Sequence, residues 1–184
     1  CDQPFVRWRK EGGLTRELAW QRWELATLAG ETRLARYLER YLSDEQRCRA
    51  KKLNKLLQRP GQSSRYRRLD IMADENRALI DHAIERVTKK TPDKALTLIA
   101  ALEVEHDIKP EHLLPHYQAV ALRLIRSNKS RLDTLDLPQV LQGDPELLEA
   151  ELVASIVAGH LKSLPGQIAK LPPAQQLELR WRYW

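Results

Sequence analysis

The chain has 184 residues, 42% of them hydrophobic and 30% charged, with seven glycines and ten prolines. That is neither a disordered nor a membrane composition, and the length suffices for one domain of helical-repeat type to bury most of its apolar surface. The formal net charge of +6 is uneven, since residues 1–92 hold 21 Lys/Arg against 13 Asp/Glu and residues 93–184 hold 10 against 12, so an anionic partner is to be sought in the first half.

Apolar positions recur at three and four residues and no stretch alternates with period two, which predicts helices throughout and no sheet. From Thr15, a fair N-cap, Leu14, Leu18, Leu25, Leu28 and Ala29 form one stripe, and Ala19, Trp23 and Ala26 a second on the opposite side. A helix with two apolar faces expects neighbours on two sides. Gly30 is placed to close it in the left-handed conformation. The next segment gathers Leu34, Tyr37, Leu38, Tyr41 and Leu42 on one face and turns Arg33, Arg36, Glu39 and Arg40 to water. Ser43, followed by two acids, opens a helix through Leu53, Leu56 and Leu57 that stops near Arg59-Pro60-Gly61, with a loop at Gln62–Ser64.

Residues 65–90 supply one or two helices with apolar positions at Leu69, Ile71, Met72, Leu79, Ile80, Ile84 and Val87. Thr91-Pro92-Asp93 is a capping residue followed by proline at the first helical position, and Ala95, Leu98, Ile99 and Leu102 make the stripe behind it. Ile108-Lys109-Pro110 breaks that helix; from Glu111 the positions Leu113, Tyr117, Val120, Ala121 and Leu124 recur until Ser127-Asn128. Asp144-Pro145 repeats the cap-and-proline opening for a helix through Leu148, Leu152, Val153 and Ile156, closed by Gly159. A last pair spans roughly 161–170 and 173–184 around Leu171-Pro172-Pro173. Segments of this length joined by short breaks predict stacked antiparallel helix pairs, an open α-solenoid of one domain over 1–184 with a weak internal break near 59–65.

Arginines at 33, 36, 40, 47, 49, 59, 65, 67 and 68 make the first half a docking face for an anionic polymer, with Arg33, Arg36 and Arg40 the substrate-binding candidates. The blander reading is a solvated surface, because Glu31, Glu39, Asp44 and Glu45 are interleaved. Tryptophans and tyrosines can stack on sugar rings, but Trp20, Trp23, Tyr37, Tyr41 and Tyr117 lie in or near apolar stripes and are expected in the core. Cys48 reads as a buried thiol on a helix.

One Glu-x-x-His, Glu103 to His106, and a His112/His116 pair raise a metal site. A di-iron bundle needs two such motifs and two further glutamates, and Pro115 is expected to interrupt the segment carrying the histidine pair. No metal and no cofactor is therefore expected. Gly-rich phosphate loops, His-Glu-x-x-His, paired Cys-x-x-Cys and Gly-x-Ser-x-Gly do not occur. No carboxylate pair singles itself out for glycan cleavage either. No apolar run approaches the roughly 20 residues that span a bilayer, and a start on Cys1 with an end at Trp184 inside an expected helix reads as a fragment or processed product, a lipoprotein start being the lesser reading.

Cys1-Asp2-Gln3-Pro4-Phe5-Val6-Arg7-Trp8-Arg9, then Gly13-Leu14-Thr15 and Leu18-Ala19-Trp20-Gln21-Arg22, resembles one stretch of the bacterial soluble lytic transglycosylases, in the all-helical superhelical region before their catalytic domain. Leu171-Pro172 and Trp181-Arg182-Tyr183-Trp184 resemble the opening of a later helix of that region, and Leu147-Leu148-Glu149, Gly159 and Ile168-Ala169-Lys170-Leu171-Pro172 fall at matching spacing. The resemblance spans the chain, close at the ends and looser over 60–140. It implies a right-handed α-superhelix in the periplasm that presents a basic, concave surface to peptidoglycan strands and holds its own catalytic domain in cis. It also implies that Cys1 pairs with a cysteine upstream of this chain. In the family one glutamate serves as acid and then base, and the substrate's own hydroxyl closes an anhydro ring. That glutamate lies in a Glu-Ser motif followed by Gly-Leu-Met-Gln, and neither motif occurs here. The expectation is a non-catalytic scaffold, with Trp181, Tyr183 and Trp184 exposed where the next helix would pack. The rivals are a tetratricopeptide-type peptide-binding adaptor, for which the 34-residue period is missing, and a basic helical repeat binding nucleic acid, which is not favoured.

Overall fold

The computed structural model describes Arg7, residues 13–106, residues 108–181 and Tyr183. Every regular element among them is helical: α1 (Arg16–Leu28), α2 (Thr32–Leu38), α3 (Asp44–Gln58), α4 (Asp74–Lys90), α5 (Pro92–His106), α6 (Pro110–Arg126), α7 (Gln139–Gln142), α8 (Pro145–Val157), α9 (Leu164–Ile168) and α10 (Pro173–Gln176). Short 3₁₀ turns at Glu39–Tyr41, Ser63–Arg68, Leu132–Thr134, Leu161–Ser163 and Leu179–Trp181 join them. The fold is all-α. It divides into two compact units, 1–83 and 84–184, with the division inside α4.

The helix starts follow from short polar side chains that accept from otherwise orphaned N–H groups. Thr15 accepts from the Leu18 N–H at 3.1 Å. Ser43 and Gln46 form a reciprocal pair, and the Asp144 carboxylate accepts from Glu146 and Leu147 at 3.0 Å. Three helix ends close with a left-handed residue, Gly30 at φ +77°, Asn128 at +55° and Gly159 at +76°. In each case the next residue's N–H reaches back five positions: Glu31 to Ala26, Lys129 to Leu124, His160 to Ser155.

In unit 1, α1 packs on α2 and α3 on the Ser63–Arg68 turn. Its core holds Trp23, Leu53, Leu56, Tyr66 and Leu79, all fully buried. In unit 2, α5 packs on α6, and α6 and α9 on α8, around Ile99, Leu102, Leu124, Leu147 and Leu152.

Several expectations need correction. The expected first stripe of α1 is not a buried face, since Leu25 is 66% exposed; α1 buries Ala19, Trp20, Trp23 and Ala26 instead, because the two indoles, stacked at 4.8 Å, bring more apolar area to one side than the leucines do. Leu34 is exposed as well, with Ala35, Leu38 and Leu42 forming the buried row of α2 and its 3₁₀ extension. Pro115 does not interrupt α6. The hydrogen bond it forfeits is to the Glu111 carbonyl one turn from the helix start, while the buried row Leu113, Tyr117, Val120, Ala121, Leu124 holds the helix together.

The expected helix over 161–170 is a 3₁₀ turn followed by α9, since Pro165 has no N–H to give the Leu161 carbonyl. The expected helix over 173–184 shrinks to α10 and a 3₁₀ turn. Leu177 and Leu179 are exposed there, so no buried apolar face carries a longer helix across a costly nucleation step. Trp181 is buried by that turn rather than exposed, whereas Tyr183 is exposed and Trp184 lies outside the described residues.

Candidate functional site

Arg33, Arg36 and Arg40 all stand exposed along α2 and the turn that prolongs it. Their spacing of three and four residues puts them on one face, over about 10 Å of helix. Two tyrosines join them. The Arg40 guanidinium lies 4.7 Å from the centre of the Tyr37 ring, and the Tyr37 and Tyr41 hydroxyls are 3.0 Å apart with their rings tilted at 60°. Both tyrosines are half-buried, so the expectation that they lie in the core is only partly met, in contrast to Trp20, Trp23 and Tyr117.

The interleaved acids do not neutralise this face. Glu39 accepts from the Asn54 amide at 3.1 Å, Asp44 pairs with Arg47 at 3.4 Å, and Glu45 pairs with Arg49 at 3.8 Å. Among the described residues Arg33 and Arg36 have no ion-pair partner, and Arg40 has only the tyrosine ring. The arrangement is three guanidinium groups beside an aromatic edge. Chemically it suits a polymer that alternates anionic groups with ring faces.

Three other arginines of the first half are tied into the fold. Arg49 pairs with Glu75 and stands 5.4 Å from the Trp20 ring, Arg47 donates to the Leu42 carbonyl at 3.0 Å, and Arg65 donates to Gln62 at 3.0 Å. Cys48 is exposed rather than buried. The buried row of α3 is Ala50, Leu53, Leu56 and Leu57, and position 48 falls on the opposite side of that helix. Cys1 and its disulfide lie outside the described residues.

The Glu-x-x-His motif has a different use. Glu103 accepts the Tyr117 hydroxyl at 2.9 Å, joining α5 to α6, and burial together with that hydrogen bond pushes the phenol above its ordinary range. His112 is exposed, and no group of three His, Cys, Asp or Glu side chains among the described residues is placed to hold a metal ion.

Three carboxylates of the second half have structural partners. Glu151 is buried and accepts from the Leu132 N–H at 3.2 Å, fixing the turn at 132–134 against α8. Glu149 and Glu178 share the Arg180 guanidinium at 2.8 and 2.6 Å. Glu24, half-buried on α1, has its carboxyl lifted above the ordinary range by desolvation. A raised carboxyl is what a general acid needs, but Glu24 has no second carboxylate or other polar partner beside it.

Sequence reasoning missed a second basic surface. In unit 2 a cleft of about 590 Å³ is lined by Lys89, Lys90, Arg123, Arg126 and Lys129, together with Pro92, Ala119 and Leu122. The signal was present in the sequence as cations in the last turns of both α4 and α6.

No helix among the described residues is long and apolar enough to cross a membrane. No family model matches the chain. No curated protein matches it either. Among solved structures it is similar to an inactive mutant of the lytic transglycosylase Slt from Pseudomonas aeruginosa, at 26% identity and a TM-score of 0.60, over 100% of this chain and 30% of that one. The chain thus spans less than a third of that neighbour's length, and its all-helical fold is of the kind found in that lytic transglycosylase.

Proposed function

We propose that this chain is part of the superhelical scaffold of a periplasmic soluble lytic transglycosylase, and that it guides peptidoglycan strands without cutting them. The observation that carries the reading is the likeness to Slt along the whole chain, which occupies only a fraction of that protein. The residues agree with it: the Glu-Ser and Gly-Leu-Met-Gln segments are missing from the sequence, and Glu24, whose carboxyl is lifted by desolvation, has no second carboxylate beside it among the described residues. Cleavage to 1,6-anhydro-muropeptides then belongs to a catalytic domain in cis, outside these residues. The face built by Arg33, Arg36, Tyr37 and Arg40 is the strand-binding surface, its guanidinium groups meeting carboxylates and its tyrosines the sugar rings.

The test is to incubate the chain with purified murein sacculi, measuring both co-sedimentation and soluble products. We expect retention of the chain and no anhydro-muropeptides, and about tenfold weaker retention for Arg33→Ser/Arg36→Ser/Arg40→Ser, at up to about 1 kcal/mol for each exposed pair lost. Release of anhydro-muropeptides would overturn the scaffold assignment. Undiminished retention of the triple variant would remove the arginine face, and tighter retention on DNA at physiological salt would favour a nucleic-acid role.

A further inference from the structure

The basic cleft of unit 2 is more than helix-end chemistry. Lys89 and Lys90 occupy the last turn of α4, Arg123 and Arg126 the last turn of α6, and Lys129 follows directly. Cations at such positions offset the helix dipole, which puts roughly half a negative charge at each C-terminus. Two ends thus account for about one charge, and the cleft collects five cations. Two of these are answered by carboxylates outside the lining, Lys89 by Glu85 at 2.6 Å and Arg126 by Glu146 at 3.2 Å. Arg123 donates to the Lys89 carbonyl at 3.3 Å and so caps α4. After these are counted, a surplus of roughly two positive charges is left. Lys90 and Lys129 carry it, since neither ammonium has a partner among the described residues.

The apolar part of the lining narrows the choice of ligand. Pro92 is buried, Leu122 half-buried and Ala119 exposed, which gives a small apolar seat between the cations. A bare inorganic anion would leave that seat wet, and a long polyanion would not need it. At about 590 Å³ the cleft falls in the range, roughly 300–1,000 Å³, of those that take small ligands.

We propose that this cleft binds a short acidic peptide, its carboxylates held by Lys90 and Lys129 and its small apolar side chains seated on Pro92, Ala119 and Leu122. If the chain guides peptidoglycan, the peptide is the stem borne by the glycan strand; the inference rests on that reading and gives it a second contact, separate from the arginine face.

The experiment titrates the 184-residue chain by calorimetry with four probes: the tetrapeptide released from murein, the same peptide with its carboxylates amidated, inorganic phosphate, and glycan strands stripped of peptide. We expect saturable binding of the free-carboxylate peptide, loss of binding on amidation, and about tenfold weaker binding for Lys90→Gln/Lys129→Gln, from roughly threefold for each exposed ion pair removed. Both lysines are exposed, so the variant keeps its fold. Four results would each overturn the proposal: no saturable peptide binding, indifference to amidation, unchanged affinity in the double variant, or tighter binding of phosphate than of peptide. Stripped glycan that still binds through Arg33, Arg36 and Arg40 while the peptide does not would sink this inference and leave the scaffold reading standing. Failure of both probes would remove the two together.

Discussion

Tyr66 does more for unit 1 than its place in a basic stretch implies. Its ring is fully buried, and its hydroxyl donates to the Pro60 carbonyl at 2.9 Å, tying the turn after α3 to the core; burial holds the phenol protonated far above its ordinary range. Tyr66→Phe keeps the ring and leaves that carbonyl without its donor. A loss of about 1 kcal/mol is expected, read as a lower urea midpoint at unchanged slope. An unaltered midpoint would mean that water reaches Pro60 and the bond is dispensable. Tyr66 was illegible in the sequence because a 3₁₀ turn has three residues per turn, so one buried ring between Arg65 and Arg67 leaves no stripe. Cys48 was misread for another reason: cysteine's general preference for the interior outweighed its place opposite the buried row of α3.

Among the helices, α3 has the best defined start. The Ser43 hydroxyl accepts from the Gln46 N–H at 3.1 Å, the Gln46 side chain accepts from the Ser43 N–H at 2.9 Å, and Asp44 and Glu45 face the positive end of the dipole. Ser43→Ala should cost about 1 kcal/mol. Because the two hydrogen bonds support each other, Ser43→Ala/Gln46→Ala should cost less than the sum of the single changes in thermal unfolding, and strict additivity would show that the two bonds act independently. Starts of this kind at Thr15, Ser43 and Asp144, and glycine ends at Gly30 and Gly159, could be read directly because cap chemistry is local. The turn at 132–134 could not, since it is pinned by Glu151 from α8. The candidate site divides the same way. Arg33, Arg36 and Arg40 lie on one continuous segment, so spacing revealed them, while the cleft joins cations from positions 89 to 129 that only the fold brings together, as when Arg123 reaches the Lys89 carbonyl.

At the scale of the whole molecule, charge and sugar stacking compete as the basis of retention on the cell wall. The chain carries +6 formally, with its excess in the first half, and Arg33, Arg36 and Arg40, on α2 and the turn that prolongs it, have no carboxylate partners among the described residues. Binding through exposed guanidinium groups is screened over a Debye length of about 10 Å at 0.1 M salt, whereas contact between an aromatic ring and a sugar face is not. If the arginines dominate, retention on sacculi should fall several-fold as sodium chloride rises from about 0.05 to 0.5 M, where the screening length shortens to about 4 Å, and Arg33→Ser/Arg36→Ser/Arg40→Ser should flatten that dependence. Neutral N-acetylglucosamine oligomers should compete weakly, since they offer ring faces without carboxylates. Co-sedimentation across a salt series measures both. Retention indifferent to salt, or fully displaced by the neutral sugar, would shift the binding from the arginines to Tyr37 and Tyr41, whose rings lie on the same face.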